Sequence, residues 1–145
     1  MRFMVIVKTT PELEKNGPLQ YPKLVGDMGK FNEELIKAGI VLAMDGLHPS
    51  SKGARVKFSG ESTTIVDGPF TEAKELVAGF WIWKVKSLDE AIERVKRCPY
   101  PQNVDSEIEI RQIFEMEEFA PLLSEEEIQH KIAKRAELPN QTFNK

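Results

Sequence analysis

Two side chains of this 145-residue chain have the types needed to pass a proton between them. Asp67 lies in the turn Val66-Asp67-Gly68-Pro69-Phe70, and His48 lies in the loop Asp45-Gly46-Leu47-His48-Pro49. A carboxylate at a strand end can act as a general base or hold a ligand, and desolvation in a pocket raises its pKa towards the working range. Histidine titrates closest to neutrality and is the natural partner. Each residue also has a purely structural role open to it. Asp67 can bond its own backbone in an Asx-turn while Gly68 supplies an unusual dihedral, and His48 can be a solvated loop residue. Asp45, three positions before His48, can assist the pair or cap a strand end.

The turn carries more side chains than a chain reversal requires. Asp-Gly and Gly-Pro are strong turn signals, yet Thr71-Glu72-Ala73-Lys74-Glu75 follows before the next apolar run. A short helical turn starting at Pro69 puts Glu72 and Glu75 on one side and Lys74 on the other, with proline well tolerated at the first position. Lys74 can then hold an anionic group and the carboxylates can orient it; plain surface charge explains the same residues. Phe70 serves as a loop anchor or a ligand contact. Arg55 and Arg111 fall on the polar faces of alternating strands, where arginine with Glu107 or Glu109 makes an ion pair or an anion site. Trp81 and Trp83 share one strand face, as core or as the floor of an aromatic pocket.

Other chemistries lack their residues. There is no C-x-x-C, no H-x-x-x-H and no second histidine near His48, so no dedicated zinc site is expected. Neither a dinucleotide-type nor a P-loop-type glycine motif occurs, nor a G-x-S-x-G elbow, so no cofactor is expected. A formal charge of −3 gives no electrostatic footprint for nucleic acid or anionic lipid. The single Cys98 cannot form an internal disulfide and suits a reducing compartment as a small buried hydrophobe. No apolar run approaches a membrane span, and the opening "MRFMVIVKTT" does not read as a leader. The cytoplasm is the expected location.

The elements that must position these residues are legible in the periodicity. "RFMVIVK" (2–8) reads as a strand covered on both faces, and a Pro/Gly-rich loop follows it. From Pro22, Leu24, Met28, Phe31 and Leu35 form one helical face, stopped at Gly39. Strands follow at 40–46, 54–59 and 62–66, the last two as a hairpin, and at 79–85. Ser87 and Glu90 make a capping box for a helix ending before Pro99, and 107–113 is the last strand. Two βα units with antiparallel strands between them imply an α+β, ferredoxin-like sandwich with its helices on one face of an antiparallel sheet. The other face would stay apolar, so a homodimer pairing sheet on sheet is expected. The tail, 119–145, reads as a helical extension with a second capping box at Ser124 and Glu127 and a sparse stripe of Ile128 and Ile132, expected to dock weakly.

The stretch "VDGPFTEAKELVAGFWIWKVKSLDEAIERVKRCP", with "RFMVIVK", "FNEELIKAGIVLAMDGL" and "IEIRQIFEMEEF", resembles the DGPF group of the YCII-related domain family over about residues 2 to 118. That resemblance implies a ferredoxin-like domain over 1–118 that dimerises into an α/β barrel. It also implies a small-molecule enzyme without a settled reaction, and a His–Asp pair proposed as catalytic in related members. Relatives beside or fused to sigma factors imply a link to transcriptional regulation. The expectation drawn from residues and resemblance together is a small-molecule ligand in the barrel, with proton transfer by Asp67 and His48. Asp45, Arg55, Phe70, Glu72, Lys74, Trp81 and Arg111 would then contact the ligand. A non-catalytic dimeric binding or interaction module is the alternative.

Overall fold

The structure is a computed structural model, and it describes residues 1–102 and 104–139. Its frame is a four-stranded antiparallel sheet in the order β2 (Val41–Gly46), β5 (Val77–Lys84), β1 (Arg2–Lys8), β6 (Ile108–Gln112). Two helices, α2 (Pro22–Lys37) and α3 (Leu88–Val95), cross over between the parallel pairs β1/β2 and β5/β6. This is the ferredoxin-like strand order, with one interruption. Between β2 and β5 the chain leaves the sheet to form β3 (Ala54–Ser59) and β4 (Ser62–Asp67), which pair only with each other.

Alternation within the strands decides the faces. Phe3 and Val5 of β1 stand beside Trp83 and Trp81 of β5, and all four are buried against Phe31 and Leu35 of α2 and Ala91 of α3. Met4, Ile6, Phe80 and Ile82 point to the opposite face. Trp81 packs edge-on against Phe31 at 6.0 Å and tilted against Trp83 at 5.7 Å, so the aromatic pair is core. Cys98 closes this core below α3, where burial pushes its thiol up to about 11 and keeps it from serving as a nucleophile at neutral pH.

The hairpin read from the sequence forms, as an arm outside the main sheet, where Ser50–Lys52 and Ala73–Glu75 turn the chain away from the β2 edge and back. One expectation is corrected. The dimeric α/β barrel is not what the described residues form. Their sheet is open, with β2 and β6 as free edges, and four strands are too few to close on themselves.

One helix has no counterpart in the periodicity. α1 (Pro11–Asn16) occupies part of the stretch read as loop, with Thr10 Oγ1 accepting from Leu13 N at 3.2 Å and Gly17, at φ 73°, ending it. The tail helix α4 (Glu125–Ala136) has the expected Ser124–Glu127 capping box and buries Ile128, while most of its surface stays exposed.

Candidate functional site

At the end of the sheet where β2 finishes, a cleft of about 430 Å³ opens between α2 and the strands. Its floor is a row of three residues in register, Gly46, Gly79 and Val7. Gly79 is required there. A Cβ on it would lie 2.8 Å from the Asp45 carbonyl oxygen and 3.3 Å from the Gly46 Cα, so only glycine lets β2 and β5 approach. Gly46 is different, since nothing lies within 4 Å of where its Cβ would be. Two adjacent positions without side chains leave the hollow that the flanking Trp81 and Met44 do not fill.

Met28 and Asn32, one helical turn apart on α2, make the opposite wall. The indole Nε1 of Trp81 donates to Asn32 Oδ1 at 2.8 Å, which fixes the ring and turns the amide N–H groups of Asn32 away from the indole. Phe80 and Asp45, partners in register, border the cleft at the sheet end with their side chains on the face opposite Trp81 and Met44. The cleft is thus mainly aromatic and thioether in character, with the Asn32 amide as its polar side chain.

The Asp67–Phe70 turn is built differently. A Cβ on Gly68 would overlap the Ser50 carbonyl oxygen, and Gly68 N donates to Gly53 O at 3.1 Å, so the turn sits directly on the Ser50–Gly53 loop. Phe70 N donates to Ser50 Oγ at 3.0 Å, while Ser50 donates through Oγ to Glu14 Oε2 at 2.7 Å and through N to Glu14 Oε1 at 3.0 Å. The Phe70 ring lies under the Arg55 guanidinium at 3.7 Å, and Arg55 in turn reaches Glu75 at 3.2 Å and Glu72 at 3.6 Å. A chain of contacts therefore runs from α1 through the turn into the arm.

These two places account for most of the residues singled out by type and spacing. Trp81 lines the cleft and Asp45 borders it. Arg55, Phe70 and Glu72 belong to the turn assembly, with Arg55 rather than Lys74 as the cation between the two glutamates. Lys74 is exposed, and its carbonyl accepts from Lys8 Nζ at 3.3 Å. Arg111 is exposed on the sheet face opposite the core helices and pairs with Glu109 at 3.2 Å. Asp67 and His48 are both exposed, and neither lines the cleft. Asn32, Met28 and the two glycines carried no chemical signal in the sequence. The one available hint was a polar Asn32 beside the apolar stripe of α2, one turn from Met28.

The profile of the YCII-related domain matches residues 1–117. The chain belongs to the YCII-related domain family. A similar curated relative, an uncharacterized protein of Rhizobium meliloti (strain 1021), is 31% identical over 71 residues, which are 49% of this chain and 57% of that protein. The match therefore spans little more than half of that relative's length. Among solved structures, this YCII-related domain is similar to the 5-chloro-2-hydroxyhydroquinone dehydrochlorinase of Burkholderia phenoliruptrix AC1100, solved in complex with 2,5-dihydroxybenzoquinone. The identity there is 18% and the TM-score 0.42, over 81% of this chain and 98% of that one.

Among the described residues of the domain, no group of three or more His, Cys, Asp or Glu is placed to hold a metal ion, and no helix is long and apolar enough to cross a membrane.

Proposed function

We propose that this YCII-related domain binds a small organic molecule in the cleft between α2 and the Gly46–Gly79 end of the sheet. The observation that carries the reading is the glycine-floored hollow. Its volume of about 430 Å³ lies in the range of small-molecule sites, and its walls are apolar around one polar side chain. Trp81, held by Asn32, gives a flat rigid surface, and the Asn32 amide supplies orientation. Asp67 and His48 take no chemical step in this proposal, because both stand in solvent outside the hollow.

Gly46 provides the test. A leucine there meets no atom near its Cβ and projects into the cleft, so Gly46→Leu should plug the site while the fold stays intact. Small aromatic and aliphatic fragments that quench the tryptophan fluorescence of the wild-type chain should lose binding to Gly46→Leu by at least about tenfold, with the melting temperature nearly unchanged. Fragments that bind both proteins equally would place the site elsewhere and end this reading.

A further inference from the structure

The geometry points to a ligand that is aromatic, carries no charge and offers a hydrogen-bond acceptor, as an aryl ketone or ester does; this inference rests on the cleft being the binding site. Strand alternation decides which side chains reach the hollow. Trp81 packs on Phe31 of α2, and Met44 is its partner in register, so Met44, Gly46, Gly79 and Trp81 all fall on the α2 face. Asp45 is the one ionisable residue at the cleft, and it alternates with Met44 and Gly46, which sends its carboxylate to the other face. Among the described residues, no lysine, arginine or histidine lines the hollow. An ionic ligand of either sign would lose hydration there and gain no countercharge, which is a net penalty.

The second observation is what Asn32 has left to offer. Its amide oxygen accepts from the Trp81 indole at 2.8 Å. An indole N–H can only donate, so the atom it meets is the oxygen, and the NH₂ group, a donor, is what remains for a ligand. Around it the walls are Met28, Met44 and Trp81. An indole face stacks on a flat ring, and thioethers make favourable contacts with a ring edge, so an aryl group suits these walls. A carbonyl on that ring gives the Asn32 donor its partner. One such hydrogen bond is worth about fivefold in affinity, and an uncompensated charge on the ligand costs at least about tenfold.

Probes of one size separate charge from hydrogen bonding: acetophenone, ethylbenzene, benzoate, and 1-phenylethylamine as its ammonium ion. Titrated by NMR into the full-length chain at neutral pH, acetophenone should bind at least about tenfold more tightly than benzoate or the amine. Asn32→Asp keeps an acceptor for the Trp81 indole and removes the donor. In that variant acetophenone should weaken by about fivefold and ethylbenzene by no more than about twofold, while the amine should gain. Benzoate or the amine binding wild type as tightly as the ketone overturns the uncharged assignment. Equal losses for ketone and hydrocarbon in Asn32→Asp overturn the acceptor assignment. In both cases loss of binding in Gly46→Leu keeps the cleft as the site. If none of the probes binds wild type, or Gly46→Leu binds them as wild type does, the ligand class and the site both fall.

Discussion

Gly68 and Asp67 are neighbours that make opposite demands on their surroundings. Gly68 is pressed against the Ser50 carbonyl so closely that even a methyl group cannot be placed, whereas the Asp67 side chain is exposed. Gly68→Ala should therefore cost about 2–4 kcal/mol, since the obstacle is backbone and cannot rotate away. Asp67→Asn should stay within about 0.5 kcal/mol, as expected for an exposed substitution. Denaturant unfolding of the two variants measures both, and a larger loss for Asp67→Asn would show that its carboxylate holds the turn. The turn was visible in the sequence, because Asp-Gly-Pro announces a reversal. Its purpose was not, because the reason for the glycine is a carbonyl eighteen residues earlier in the chain, and no spacing rule reports that.

At the scale of elements, the long helices and the sheet were legible, since each buries one face and periodicity records burial. α2 begins at Pro22 and Ser87 caps α3, as the patterns predict. The short α1 escaped because its six residues bury nothing, so no apolar period marks it; its capping residue Thr10, Pro11 at the first position and Gly17 at the end were the signals present. This unobtrusive helix nevertheless supplies Glu14, which holds Ser50 and through it the Phe70 amide. Ser50→Ala removes the hydroxyl that both groups use and should cost about 1–2 kcal/mol. The loss should be local: hydrogen exchange should accelerate in β3 and β4 and leave β1 and β5 unaffected. Uniform acceleration across all four strands would show that the arm and the sheet unfold as one unit. The cleft was the least legible part, because a hollow is defined by missing side chains, and Gly46 and Gly79 read only as strand-end punctuation.

At the scale of the whole molecule, the first strand is tied by an ion pair to the segment that follows the last strand. Arg2 in β1 is nearly buried, and its guanidinium meets the Glu115 carboxylate in a two-point contact at 2.9 and 3.0 Å. The Arg2 hydrogen bonds hold the Glu115 pKa below its ordinary 4.5. A carboxylate whose folded pKa is depressed contributes fully above its unfolded value and loses the contribution as pH falls through the folded one. Glu115→Gln should therefore lower stability near neutrality by about 1–2 kcal/mol, a figure kept small because Glu115 is partly exposed. The gap between wild type and variant should close in acid, as the pH falls from 4.5 through the depressed folded pKa of Glu115. Urea titrations across that interval check the sign, and a gap that widens in acid would rule the pair out as the cause.

The separation between arm and sheet has an implication for how such a domain can change. Gly46 and Gly79 face each other across adjacent strands, so the chain leaves the sheet and re-enters it at nearly the same point. The β3–β4 arm between them is an accessory to a scaffold whose strand order is complete without it. Its outward surface, with Phe58 and Ile65 79% and 69% exposed, can be lengthened, trimmed or recoloured by mutation at little cost to the scaffold. The cleft lies at the joint itself, so each such alteration lands beside the site without having to rebuild it.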